Sequence, residues 1–306
     1  GVSLLSLQNI RRFVLFFYCV GLVLLVLTPL MGIEIKGAKR WLSLGGFSLQ
    51  ASEFIKPLLT VLVAWMMTKK KQDDTFPGNT AALVMYGLVV GLLLCQPDMG
   101  MIILITGVTF VQFFLSGLPV AWVMGGALAG TLGLVGAYMM FSHVQQRIDR
   151  FLDPGSGDKF TDTYQISQSL EAFMNGGFWG QGPGEGTVKT HLPDAHADFI
   201  FAVAGEEFGF VLCAFIVGLF LTIVLRSLMR VFSEENFFVV LAVSGLILQF
   251  GLQALINMSS TLSLIPTKGM TLPFISYGGS SMMAVALTMG MVIALTRRRF
   301  EGERDR

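Results

Sequence analysis

The residues His191–Phe210, HLPDAHADFIFAVAGEEFGF, set two histidines and two aspartates directly before an apolar stretch long enough to cross a bilayer, with Asp198 at the junction. A carboxylate at the head of a membrane helix is costly to keep, and such residues are retained for function. Placed there, Asp198 is well oriented for catalysis. The plainer alternative is a helix N-cap, because Asp accepts well from the free N–H groups of a first turn, and the two roles are compatible. His196 lies two residues earlier and either tunes the carboxylate or stands by as a bystander. The three histidines, His143, His191 and His196, lack the compact spacing of a structural zinc site, so no dedicated metal ligand set is expected.

The other charged residues of the apolar segments each carry a structural reading beside a functional one. Glu206 and Glu207 lie on the same predicted helix as Asp198, turned from it by about 80° and about 180° at helical spacing. They are expected to bridge neighbouring membrane helices. Glu53 and Lys56 in SEFIKP stand at i, i+3, where pairing lowers the cost of burying both. A clamp is favoured over substrate contact, and Pro57 is expected to perturb that helix. Asp98 in Gln96–Pro97–Asp98 is a cap or a cavity-lining group, and the sequence does not separate these. Lys39–Arg40–Trp41 reads as an interfacial anchor, or as cations for a pyrophosphate with an aromatic face for a sugar. The glycine-rich run 176–186, GGFWGQGPGEG, lacks the order of a nucleotide-binding loop and reads as flexible or tightly turning backbone.

The elements that must position these groups are membrane helices. Of 306 residues, 53% are hydrophobic and 13% charged, and the mean hydropathy is +0.68, against about 25% charged in soluble domains. The chain is therefore read as an all-α polytopic membrane protein. A net charge of +1 gives no reason to expect nucleic acid. Cys19, Cys95 and Cys213 lie inside apolar stretches and read as small hydrophobes rather than a disulfide frame. Candidate spans are 13–32, 51–68, 80–95, 99–115, 120–141, 199–225, 237–258 and 281–295. The opening GVSLLSLQNIRR reads as the tail of a further helix, which implies an N-terminally truncated chain.

Lysines and arginines set the orientation. Arg11 and Arg12, Lys69 to Lys71, Arg226 and Arg230, and Arg297 to Arg306 alternate correctly with the spans and are assigned to the cytoplasm, with the C-terminus inside. The segments 32–50, 142–197 and 259–280 then face out. The long loop 142–197 is expected to be structured, with a surface helix over 144–152, a second short helix over 163–174 and the glycine-rich turn. The loop 266–281, PTKGMTLPFISYGGSS, reads as a re-entrant segment over a cavity. The whole of 1–306 is taken as one integral membrane domain.

Taken together, GAKRWL at 37–42, SEFIKP at 52–57, QPDMG at 96–100, YQISQSL at 164–170, HLPDAHADFIFAVAGEEFG at 191–209 and PTKGMTLPFISYGGSS at 266–281 closely resemble the SEDS family of shape, elongation, division and sporulation proteins. The last motif is closer to the division branch than to the elongation branch. The resemblance runs in order from the first residue to about Arg299. It implies a bundle of ten membrane helices in the family, of which this chain carries eight and a fragment. It implies a peptidoglycan glycosyltransferase that polymerises lipid II outside the bacterial cytoplasmic membrane, at the septum. In this reading Asp198 is the general base. Lys39, Arg40, Lys56 and Lys189 are the candidate cations for the pyrophosphate. Trp41, Glu53, Asp98, Gln165 and His196 complete the candidate substrate-binding residues.

The resemblance further implies a divalent cation, Mg2+ or Mn2+, and no organic cofactor. It implies a class B penicillin-binding protein as transpeptidase partner on a separate chain, alongside other divisome proteins. Where the family commonly has Glu-Ala-His-Thr-Asp, this chain has Asp194–Ala195–His196–Ala197–Asp198, so no hydroxyl stands at 197. Two other classes stay open. A lipid II flippase would need polar groups at several depths and shows no internal repeat here. A non-catalytic scaffold that recruits the transpeptidase would tolerate loss of Asp198.

Overall fold

The structure is a computed structural model, and it describes residues 1–35, 38–45, 47–140, 142, 145, 148–149, 162–266 and 269–297. The expected surface helix over 144–152, the residues Thr267 and Lys268, and the basic residues beyond Arg297 lie outside the described residues.

The chain is built from helices α1 (Leu7–Met31), α2 (Ala51–Gln72), α3 (Gly78–Cys95), α4 (Met99–Leu115), α5 (Val120–Met140), α6 (Asp162–Gly176), α7 (Ile200–Phe232), α8 (Phe237–Thr261) and α9 (Gly279–Thr296). Each of the eight expected spans is met by one of them. Among the described residues six are long and apolar enough to cross a membrane, and α4 and the apolar part of α5 are shorter. The expected helix over 163–174 is α6.

One expectation is corrected. Val2–Leu4 form one 3-10 turn, and Ser6 caps α1 by accepting from Asn9 N at 3.2 Å. Arg11 and Arg12 thus sit inside α1 rather than in a loop. The segment after α1 forms a small antiparallel sheet, β1 (Ile33–Ile35), β2 (Ala38–Leu44) and β3 (Phe47–Leu49), in the order β1-β2-β3. Its cross-strand pairs Glu34↔Lys39 and Leu42↔Leu49 fix the register, and short strands with interrupted patterning are easily missed in an otherwise helical chain.

The chain divides into two compact units. The first comprises Gly1–Gly117, Ile223–Leu252 and Gly278–Arg306. Its axis is α2, which packs against α1, α3, α4 and α9. Because neighbours cover it on all sides, α2 is apolar around its circumference rather than along one stripe, and it buries Ile55, Leu58, Leu59, Leu62 and Met67. Polar groups inside reach across helices, as burial favours. Gln112 Nε2 donates to Thr60 O (2.9 Å) and Leu241 O (3.2 Å), and Thr60 Oγ1 bonds Gln249 Oε1 at 3.1 Å. Pro57 falls in the second turn of α2, and the helix runs through it unbroken.

The second unit comprises Leu118–Thr222 and Gln253–Tyr277. Its core gathers Ala172, Leu192, Phe199 and Ala202, with Phe173, Val188 and Ala195 against them. Ser169 of α6 donates to Thr261 O at the end of α8, at 2.7 Å.

Candidate active site

In the second unit, the segment that carries Asp198 is a tight turn rather than the first turn of a helix. Asp194 adopts φ 55°, and its carbonyl accepts from Ala197 N (3.0 Å) and Asp198 N (3.1 Å). α7 then starts at Ile200, with Phe199 O accepting from Ala202 N and Val203 N. Asp198 therefore precedes the helix, half-buried, and His196 stands exposed beside it.

Three consecutive carbonyls of this turn are held from outside it. His196 O accepts from Tyr277 N at 2.9 Å, Ala197 O from Ser276 Oγ at 2.5 Å, and Asp198 O from Asn257 Nδ2 at 2.9 Å. The His196 ring meets the Tyr277 ring edge-on, with centroids 5.6 Å apart. Ser276 Oγ also accepts from Leu272 N at 2.7 Å, which closes the turn around Phe274. The loop 269–277 is thus folded onto the Asp198 turn, and a Cβ added to Gly269 would lie 3.5 Å from Asp198 Oδ2. The main chain that carries this carboxylate is therefore held at three consecutive carbonyls.

The loop between α6 and α7 is anchored by Glu206 and Glu207, which corrects the expectation that they bridge membrane helices. Glu206 is fully buried. It accepts from Asn175 Nδ2 (2.8 Å), Val188 N (2.8 Å) and Lys189 N (2.9 Å). Glu207 pairs with Lys189 Nζ. The pair consumes the charge of Lys189, one of the cations expected to face a pyrophosphate.

α7 is broken at Gly209, where φ is 73° and ψ −170°. The break frees backbone groups that must find partners inside a membrane, and the glycine-rich run supplies them. Gln181 N and Gly182 N donate to Glu206 O and Glu207 O, both at 2.9 Å, while Phe210 N donates to Gly177 O at 3.0 Å. The run expected to be flexible or tightly turning backbone is therefore also the partner of a broken membrane helix.

In the first unit, β2 separates the trio Lys39–Arg40–Trp41, because successive strand residues point to opposite faces. Arg40 turns toward the α3–α4 turn. It donates from Nη2 to Pro97 O (2.6 Å) and from Nε to Gln96 O (3.3 Å), with Nη1 3.9 Å from Asp98 Oδ1. Asp98 accepts from Met101 N and caps α4, one of the two readings the sequence left open. Burial pushes its carboxyl above the usual carboxylate range, against the pull of Arg40. Gln96 Nε2 donates to Leu25 O at 2.9 Å and ties the turn to α1. Lys56 and Glu53 form the expected pair at 2.7 Å, with side chains 1% and 6% exposed. Lys39 is exposed, Trp41 is half-buried, and Gln165 lies half-buried on α6 in the second unit.

The structure thus gathers Asp198 with His196 in one unit, and Arg40, Asp98, Glu53 and Lys56 in the other. Sequence reasoning missed Asn257, Ser276 and Gly209. A lone Asn in the apolar helix α8 carries a signal, since a polar side chain there must have partners; the other two lie in turns whose partners are distant in sequence. Among the described residues no three His, Cys, Asp or Glu side chains gather as a metal site.

The chain matches the model of the family described as cell cycle protein, FtsW/RodA/SpoVE, over residues 1–301. It is 45% identical over 297 residues to the probable peptidoglycan glycosyltransferase FtsW of Caulobacter vibrioides, covering 97% of this chain and 75% of the relative. It is 36% identical to the protein of the same description from Trichlorobacter lovleyi, covering 92% and 74%. Among solved structures it is similar to a chain of a peptidoglycan synthase complex described for its coordination of polymerization and crosslinking. That similarity has a TM-score of 0.81 and 28% identity over 98% of this chain and 85% of that one. It is also similar to the rod shape determining protein RodA of Thermus thermophilus, with a TM-score of 0.69 and 27% identity over 97% and 82%. With the family model spanning almost every residue and a relative this similar over its length, the chain belongs to the FtsW/RodA/SpoVE family of cell cycle proteins.

Proposed function

We propose that this protein is a peptidoglycan glycosyltransferase of the division type, which polymerises lipid II at the outer face of the bacterial cytoplasmic membrane. The observation that carries the chemical assignment is the half-buried Asp198, held at the head of an apolar helix by three consecutive tethered carbonyls. Membership of the family and the description shared by its relatives support the reaction class.

In the proposed step the 4-hydroxyl oxygen of an acceptor GlcNAc bonds to the anomeric carbon of a lipid-linked MurNAc. The bond from that carbon to the pyrophosphate oxygen breaks, and its electron pair leaves with the lipid pyrophosphate. The hydroxyl proton passes to the Asp198 carboxylate. Pyrophosphate is a good leaving group and needs charge stabilisation rather than a second carboxylic acid, unlike the leaving group of a glycosidase. One base therefore suffices, and base catalysis of this kind contributes about 10²–10⁴-fold. Of the four candidate cations, Arg40, Lys56 and Lys189 are engaged by carbonyls or carboxylates, while Lys39 is exposed. A divalent cation, Mg2+ or Mn2+, is proposed to arrive with the pyrophosphate rather than to reside in the protein.

The proposal extends to location and partners. The charge bias of the loops supports a cytoplasmic C-terminus and an outward-facing Asp198, and the division-type motif at 266–281 supports work at the septum. Crosslinking falls to a separate class B penicillin-binding protein, a pairing supported by likeness to a chain of a synthase complex, with other divisome proteins around it. The test uses full-length protein purified with its transpeptidase, supplied with lipid II and Mg2+, and compares glycan polymer from the parent and from Asp198→Asn of equal folding. Loss of polymer in the variant alone is expected. Equal polymer from both removes Asp198 as the base, and no polymer from the parent, where a related polymerase works, moves the reading to a flippase or a scaffold.

A further inference from the structure

Asn257 lies one turn before the end of α8, and its side chain is fully buried. It uses its amide nitrogen twice, donating to Asp198 O at 2.9 Å and to Met270 O at 2.6 Å. The two acceptors belong to different segments, the turn before α7 and the loop after α8. Two carbonyl acceptors also fix which way the amide faces, because a flipped side chain would set Oδ1 against two oxygens. Oδ1 is itself buried and finds no partner among the described residues. A buried acceptor left unpaired is a standing cost, so this residue is a poor choice for stability alone.

What the amide secures is geometry around one carboxylate. It holds the carbonyl of Asp198 itself, and it holds Met270, whose neighbour Gly269 faces Asp198 Oδ2. One side chain thus sets both the main chain that carries the carboxylate and the wall opposite it. Ser276 and Tyr277 separately attach the same turn at Ala197 and His196, so loss of Asn257 leaves the turn attached at those two points while the Asp198 carbonyl loses its amide donor. We infer that Asn257 is a positioning residue for Asp198, fixing the proposed base against the loop that faces it. The inference rests on the reading of Asp198 as the general base.

The test is a double-mutant cycle on the full-length protein in its transpeptidase complex, with Asn257→Ala and the isosteric Asn257→Asp made in the parent and in Asp198→Asn. The measurements are lipid II turnover, its dependence on substrate concentration and on pH, and the unfolding midpoint. Either substitution is expected to lower kcat at least tenfold, to leave KM within about threefold, and to cost nothing further in the Asp198→Asn background. Asn257→Asp carries the test where Asn257→Ala fails to fold. Turnover within twofold of the parent overturns the inference, as does an equal fold-loss in both backgrounds. Where Asp198→Asn leaves no measurable turnover, the acid limb of the kcat profile decides: it moves in the Asn257 variants, and an unmoved limb overturns the inference. Full turnover in Asp198→Asn itself overturns the underlying assignment of the base, whatever the Asn257 variants do, whereas loss there with normal Asn257 variants overturns the inference alone.

Discussion

A Cβ built on Gly209 would lie 2.5 Å from the backbone nitrogen of Gly180, and one built on Gly180 would lie 2.2 Å from Glu207 O. The break in α7 and the glycine-rich run are therefore packed backbone to backbone, with no room for a side chain on either. Both glycines also hold positive φ, 73° and 84°. Gly209→Ala and Gly180→Ala are each expected to destabilise by at least about 1–3 kcal/mol, the cost of holding an ordinary residue in such conformations, before any clash is relieved. Unfolding midpoints in detergent check this. Midpoints equal to the parent's would mean that α7 can straighten or that the run can detach without loss.

Glu206→Gln tests the anchoring of the loop before α7. Both carboxylate oxygens accept from backbone or amide donors, so a glutamine must turn its NH2 toward one of them. A loss of about 1.5–3 kcal/mol is expected, the range for a hydrogen bond to a charged group. Limited proteolysis between Gly186 and Leu192 should quicken. Cleavage at the parent's rate would show that the loop does not depend on this carboxylate.

For the buried pair in α2, the expected pattern is asymmetric. Glu53→Gln or Lys56→Met alone leaves an uncompensated charge in the interior and should cost about 3–5 kcal/mol. The double variant removes both charges and should recover most of that loss. A double variant as unstable as the sum of the singles would mean that the two side chains do not act as a pair.

Asp98 gives a pH-dependent expectation. Its carboxyl is raised by burial, so the folded chain binds its proton more tightly than the unfolded chain does. The stability from this group is full below the ordinary carboxylate value of about 3.9 and declines as pH rises through the raised folded value. Arg40→Gln removes the chief opposing charge and should extend the decline to higher pH. Unfolding midpoints from about pH 4 to 8, with Asp98→Asn as the reference lacking the group, measure it. A decline of the same extent in the parent and in Asp98→Asn assigns it to other residues.

Much of this protein was legible before folding was considered. The eight apolar runs, the short helix α6, the Glu53–Lys56 pair and the standing of Asp198 at the head of α7 follow from composition, period and spacing. These are local properties. A run of about 20 apolar residues must satisfy its own backbone in lipid, and helix is the solution a single segment can reach. An i, i+3 pair is likewise settled by the helix that carries it.

Tertiary structure decided whatever depended on a distant partner. Glu206 turned out to hold residues 175 and 188–189 rather than a neighbouring span, and Lys189 was taken by Glu207. Arg40 left Lys39 and Trp41 for the turn at Gln96–Asp98 because a strand alternates its faces. The tethering of Asp198 to Asn257, 59 positions away, has no local signature. A side chain's type states only that a buried polar group needs a partner, and which partner it meets is fixed when the segments pack.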